Sequence, residues 1–291
     1  MPTMSAAERI NQRFLRERHE PSTLAAGDVL PSRGVHRDMA SRFDVVAGGR
    51  SDGAAPAPTW PAESLRASAR SASWTPAPVH GQAAAIEQYR RLAAQLIQAS
   101  IERDVKIVMV ASSVRGEGKS LTAANLAVTL ARSYQRDTLL IDADLRRPRQ
   151  HTIFGVDNSR GLSDWLDTAS DTTDGPVQLM PLLMLLPAGQ PTNDPMAGLT
   201  SSRMKTLLSE AKQGFDFVLI DTPPATLVPD ASVLVTLVDT SVLVIRAGAT
   251  AFASIDRAVA ALGRDRILGT ILNRADATTS AGRYWYGHGR A

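Results

Sequence analysis

From Ala83 onward the chain alternates between two hydrophobic regimes. "AAAIEQYRRLAAQLIQASI" sets apolar residues at helical spacing, and "SLTAANLAVTLARSY" does so again after a glycine-containing loop. Around these helices lie short, continuously apolar runs: "VKIVMVAS", "DTLLIDAD", "FDFVLIDTPP", "TSVLVIRAG" and "ILGTILN". Such runs are too short for helices and predict strands buried on both faces. Strands of that kind separated by helices predict an α/β fold, a mostly parallel central sheet with helices on both faces. No internal repeat is visible.

Residues 1–80 have another character. Met4–Glu20 predicts a short arginine-rich helix with Ile10, Phe14 and Leu15 on one face. "AGGRSDGAAPAPTWPAES" and "SASWTPAP" follow, rich in Pro, Gly, Ser and Ala and without apolar period. Such a stretch cannot bury enough apolar surface to offset its ordering entropy. The expected division is therefore a leader of short helix and disordered linker (1–80), an α/β domain (81–275) and a flexible C-terminal tail (276–291). Arg9, Arg13, Arg16 and Arg18 are read as a solvated face, with docking on a partner or on acidic lipid as the sharper alternative.

Composition narrows the chemistry. With 44% apolar residues among 291, the chain can bury an aliphatic core, and a net charge of +3 gives no reason to expect a nucleic-acid partner. The absence of cysteine excludes a disulfide framework and a thiolate metal site. His19, His36, His80, His151 and His288 are scattered without metal-ligand spacing, and nothing resembles a hydrolase triad. No apolar run approaches the roughly 20 residues that span a bilayer, and "MPTMSAAERINQRFLRERHE" is too polar for a secretory signal. The expectation is a cytoplasmic protein.

The loop between the first buried run and its helix carries the candidate chemistry. "ASSVRGEGKS" ends as a phosphate-binding loop does, although Ser113 stands where G-x-x-x-x-G-K-[ST] has its first glycine. Gly116 and Gly118 let the backbone approach an anion, Lys119 can reach phosphates, and the Ser120 hydroxyl can hold Mg²⁺. The amides opening the following helix point to the same place. The residues expected along the nucleotide are Val114, Arg115, Gly116, Glu117, Gly118, Lys119, Ser120 and Leu121. Asp142 and Asp144 close the second strand and Asp221 the third, where parallel strands line a ligand crevice. Three carboxylates beside a lysine and a serine suit a metal that takes oxygen ligands and a hydroxyl nucleophile that needs a base. Ser120, Asp142, Asp144 and Asp221 are thus candidate metal residues, and Lys119, Asp142, Asp144 and Asp221 candidate catalytic ones. Together the pattern predicts a P-loop NTPase fold that binds a nucleotide.

These residues resemble bacterial tyrosine kinases of the capsule and exopolysaccharide type. From about Glu87 to Tyr286, "SSVRGEGKSLTAANLAVTLA" is similar to their Walker A loop and helix, "LLIDADLRRPRQHTIFG" to their second aspartate motif, and "FDFVLIDTPPATLVPDA" to their Walker B segment. "LLPAGQPTNDP" and "ILGTILNRAD" also match. The resemblance implies ATP and Mg²⁺ as cofactors, with Lys119 on the β- and γ-phosphates and Ser120 on the metal. It implies metal support from Asp142 and Asp221, direct or through water, and Asp144 as base or metal ligand. Arg146 falls in the D-x-D-x-R position, and Asn273, in the loop after the last strand, would touch the adenine. It also implies phosphorylation of Tyr284 and Tyr286 in "AGRYWYGHGRA", two of the chain's four tyrosines, by a neighbouring subunit.

Further implications concern assembly. The chain resembles the split form of the family, in which a separate membrane chain-length or co-polymerase adaptor activates a cytoplasmic kinase at the inner membrane face. The process served would be polysaccharide synthesis and export. A homo-oligomeric ring is implied, but its E-x-x-R-x-x-R motif is incomplete: "EQYRRLA" has Glu87 and Arg90, then Ala93. Arg115 stands where the family often has proline. The alternatives are a partitioning ATPase of the MinD and ParA class, or a nucleotide-gated subunit without kinase activity. Against the first, Val114 occupies the place of that class's second lysine.

Overall fold

The computed structural model describes residues 70–71, 83–167, 175–192 and 194–275. The expected leader helix, most of the linker and the tail with Tyr284 and Tyr286 lie outside the described residues.

Among the described residues, eight strands form one sheet in the order β1-β4-β5-β3-β6-β2-β7-β8. Their ranges are β1 Arg70–Ser71, β2 Ile107–Ser112, β3 Thr138–Asp142, β4 Val177–Met180, β5 Leu183–Leu186, β6 Phe217–Asp221, β7 Thr240–Arg246 and β8 Ile267–Asn273. From β5 to β8 every neighbouring pair is parallel; β4 alone pairs antiparallel, with β5. The five expected strands are β2, β3, β6, β7 and β8. The β4–β5 hairpin is an addition: in "VQLMPLLMLL" only Gln178 and Pro181 interrupt the apolar residues, too little alternation or turn signal to mark two strands. Arg70 and Ser71 pair with Val177 and Gln178, so the sheet reaches into the stretch expected to be linker.

Strands β2, β3 and β6 are buried at every position, as a sheet covered on both faces requires. On one face, Val108, Val110, Leu140, Leu219, Val242 and Val244 join Ala93, Leu96 and Ala99 of α1 (Ala83–Arg103) and the apolar stripe of α2 (Lys119–Tyr134). That stripe includes Ala123, Ala124, Ala127 and Ala131, whose small side chains let α2 lie close to the strands. On the other face, Met109, Ile141, Ile220 and Leu243 are equally buried. The remaining helices are α3 (Gln150–Phe154), α4 (Leu162–Leu166), α5 (Pro195–Leu199), α6 (Ser202–Gly214), α7 (Asp230–Leu234) and α8 (Phe252–Leu262). Glu87 and Arg90 are exposed on α1, 3.7 Å apart, whereas Ala93 is fully buried. The last position of the expected ring motif therefore faces the core, where an arginine would have no water.

The sheet's amino end is held by Asp239. Its Oδ2 accepts from the amides of Lys106 (2.9 Å) and Ile107 (2.8 Å), and its Oδ1 from Lys212 Nζ (2.8 Å). Burial works to raise its pKa, but the Ile107 amide, the Lys212 ammonium and the Lys106 amide prevail and hold it below the usual carboxylate value. Asp239→Ala is expected to cost about 1–3 kcal/mol by leaving two amides unpaired, and so to lower Tm by several degrees. A depressed folded pKa gives stability that is complete above the unfolded value of about 3.9 and lost as pH falls through the folded value. Urea titrations should show the gap between wild type and variant at neutral pH and its closure in acid.

Candidate nucleotide site

Between β2 and α2 the backbone turns at two left-handed glycines, Gly116 at φ 81° and Gly118 at φ 93°. Ser113 has no positive φ, so the place of the missing first glycine accepts a side chain without strain. Glu117 braces the loop from inside. Although only 1% exposed, its carboxylate accepts from Val114 N (2.7 Å) within the loop, and from Arg246 N (3.4 Å) and the Thr250 hydroxyl beyond it. Ser113 O accepts from the Thr226 hydroxyl at 2.7 Å, and Ser112 O from Ala225 N at 2.8 Å. Asn273 is the last residue of β8, not part of the loop after it, and donates through Nδ2 to Glu117 O at 2.7 Å. A Cβ on Gly118 would lie 2.0 Å from that nitrogen, so glycine is required there by space as well as by φ. The loop is thus held in shape by contacts within the protein. The first turn of α2 has no acidic side chain to compete with an anion for its amides.

Strand register gathers the carboxylates. Asp142 on β3 and Asp221 on β6 are paired positions, and Asp221 also pairs with Val110 on β2. Lys119 Nζ ion-pairs with Asp221 Oδ1, donates to Ser120 Oγ at 3.2 Å and lies 3.9 Å from Asp144 Oδ2. Lys119, Asp144 and Asp221 are at most 8% exposed, so their charges interact with little screening. Burial raises the Asp144 pKa, with Lys119 opposing it. Asp142 is pushed up to about 7 by burial and then by Asp221, against the amides of Gln150 and Arg149.

The structure gives Asp142 and Arg146 partners other than those expected. Asp142 accepts from Asp144 N (3.2 Å) on Oδ1 and from Arg149 N and Gln150 N (both 2.9 Å) on Oδ2. With both oxygens turned to backbone amides, Asp142 shapes the segment after β3. Arg146 forks onto Asp230, Nε at 2.8 Å and Nη2 at 3.2 Å, so its guanidinium is held by a fully buried carboxylate at the start of α7. Arg115 and Leu121 are exposed at the loop's rim, and Val114 is half-buried.

Two participants escape sequence reading. Gln150 donates through Nε2 to Ser120 O (3.0 Å) and Asp221 Oδ2 (2.8 Å). Thr250 closes the Glu117 brace from a turn 133 residues away. Thr250 sits in no motif, and Gln150 lies within the second aspartate stretch without a role read from it; only folding brings them to the loop.

Known proteins share this fold. The ParA family model, described as the NUBPL iron-transfer P-loop NTPase, matches residues 104–281. The tyrosine-protein kinase YwqD of Bacillus subtilis is 40% identical over 205 residues, 69% of this chain and 86% of that protein. The chain belongs to the bacterial tyrosine kinases. The tyrosine-protein kinase CpsD of Streptococcus agalactiae is 32% identical over 203 residues, 68% of this chain and 88% of that one. The crystallised kinase domain of the Escherichia coli tyrosine kinase ETK superposes with a TM-score of 0.58 at 30% identity, covering 70% of this chain and 80% of that domain. This kinase is a ParA-like P-loop NTPase in fold, and it lacks the cysteines that would bind iron through thiolates.

The residues fit a magnesium nucleotide. Among the described residues no group of three or more His, Cys, Asp or Glu is placed to cage a metal alone. A P-loop site does not need one, since phosphate oxygens and waters complete the octahedron around a serine hydroxyl and a carboxylate. The brace predicts that Glu117→Ala weakens nucleotide binding about tenfold, the equivalent of about 1.4 kcal/mol. Titration with a fluorescent ADP checks this, with circular dichroism confirming that the fold is kept.

Proposed function

We propose that this kinase is an ATP- and Mg²⁺-dependent autokinase that phosphorylates Tyr284 and Tyr286 in its own tail. The observation that carries the reading is the convergence of Lys119, Ser120, Asp144 and Asp221 on one loop, with Lys119 between the two carboxylates. Bound Mg²⁺ would neutralise phosphate charge; Ser120 Oγ and Asp221 are the residues that would hold it, with Asp142 ordering the segment behind them. Lys119 and the loop amides orient the phosphates. Asp144 takes the phenolic proton as the tyrosine oxygen bonds to the γ-phosphorus and the bond from that phosphorus to the β-bridging oxygen breaks, releasing ADP. Asp144 suits the task because burial raises its proton affinity and its Oδ2 faces Lys119, not a backbone amide. Asn273, whose Nδ2 donates to Glu117 O, is the residue that would touch the adenine.

The remaining tyrosines favour the tail as acceptor. Tyr134 is engaged on Arg90 O at 2.9 Å, and Tyr89 lies half-buried on α1. Among the described residues no helix is long and apolar enough to cross a membrane. We infer that a membrane adaptor recruits and activates the kinase at the inner face, in polysaccharide synthesis and export. A regulatory ATPase of the ParA kind is the other reading, favoured by the family model alone.

Mass spectrometry after incubation with Mg-ATP tests the proposal. Trypsin cleaves after Arg283 and Arg290 and releases "YWYGHGR". Phosphate on this peptide is expected in the wild type and not in Lys119→Ala or in the Tyr284→Phe/Tyr286→Phe double variant. Nucleotide binding without tail phosphate, with adaptor segments supplied, would establish the ATPase reading instead.

A further inference from the structure

Gln150 lies between the two halves of the site and is completely buried. Its Nε2 donates to Ser120 O and to Asp221 Oδ2. Both partners only accept, so chemistry dictates which end of the amide faces them. Its backbone N–H donates in turn to Asp142 Oδ2 at 2.9 Å. A continuous chain therefore runs from Asp142 through Gln150 to Asp221, and by a branch to the carbonyl of Ser120. The other end of the amide, Oε1, is buried and has no hydrogen-bond partner in the protein. Buried amide oxygens are rarely left so, and one on an amide bonded to Asp221 and to the carbonyl of Ser120 suits a donor that arrives with the ligand.

We propose that Gln150 is a positioning residue for the metal half of the site. Nε2 orients Asp221, and Oε1 accepts a hydrogen bond from a water in the Mg²⁺ hydration shell. This rests on the magnesium-nucleotide reading above. The arrangement addresses a specific electrostatic need. Asp221 is buried, with Lys119 on Oδ1 and Gln150 on Oδ2. When the Lys119 ammonium turns toward phosphate, the Gln150 amide still holds the carboxylate, and it adds no charge to a cluster that already contains three aspartates. It also explains why Asp142 can matter to metal binding while both its oxygens face backbone amides: it fixes the residue that fixes Asp221. Outer-shell partners of this kind commonly govern metal affinity.

The test uses the full-length chain and a fluorescent ADP, titrated in EDTA and across Mg²⁺ concentrations. Gln150→Met keeps the length of the side chain and removes both polar ends; Gln150→Ala serves if the methionine variant misfolds by circular dichroism. The expected result is about a tenfold rise in the Mg²⁺ concentration needed for half-maximal enhancement of binding, with ADP affinity in EDTA within about twofold of wild type. Equal loss with and without Mg²⁺ would mark Gln150 as a brace for α2 only and overturn the proposal, as would an unchanged Mg²⁺ requirement. A wild type that binds the fluorescent ADP no better with Mg²⁺ than in EDTA would overturn the magnesium-nucleotide reading itself, and this inference with it.

Discussion

Three buried carboxylates gather at the carboxyl ends of β3 and β6, and one lysine pairs with two of them, Asp144 and Asp221. Everything around the loop serves to make that cluster tolerable. Carboxylates taken out of water resist ionisation, and neighbours of like sign add to the resistance. Asp142 shows both effects, lifted to about 7 by burial and by Asp221. The protein answers with donors. Three backbone amides serve Asp142, Lys119 and Gln150 serve Asp221, and Lys119 and the Arg147 amide serve Asp144. A site so arranged is ready for a divalent cation and phosphate, since each supplies charge of the sign the other lacks.

The same economy shapes the loop. Glu117 is a carboxylate where only phosphate is expected to be negative, and at first sight it opposes anion binding. Its buried oxygens face Val114 N, Arg246 N and Thr250, so its role is to fix the loop and not to meet the ligand. Asn273 completes the hold on Glu117 from the backbone side. The loop is thereby joined to the ends of β7 and β8. Ordering is paid for during folding, and less remains to be lost on binding.

Helix α1 has two unlike sides. One side of that helix is core, with Ala93, Leu96 and Ala99 buried, and the other presents Glu87, Arg90 and Arg91 close enough for weak ion pairing at 3.7 and 3.9 Å. Exposed pairs of this kind add little stability. They leave the charged side chains in water. The ring motif loses its last arginine at a position the core already occupies.

Much of the fold was legible because the apolar runs of β2, β3, β6, β7 and β8 are bounded by turn residues and strand-end aspartates. Lys119, Ser120, Asp144 and Asp221 were legible from spacing alone, since the loop and the strand ends meet in any parallel sheet of this order. The β4–β5 hairpin was not, because two four-residue strands with Gln178 as their single polar residue are too short to show a period. Sequence by itself determined the strand–loop–helix context and the kinds of charge at the crevice, both local consequences of glycine, chain period and residue type. Asp142 turns to amides two to eight residues further on, a fold of the segment after β3 that its residue types do not announce. Tertiary structure alone decided that Arg146 forks onto Asp230, and that Gln150 and Thr250 reach the loop. Those outcomes depend on strand register and on contacts across 30 to 133 residues, and no local pattern encodes a hydrogen bond whose partner is that far along the chain.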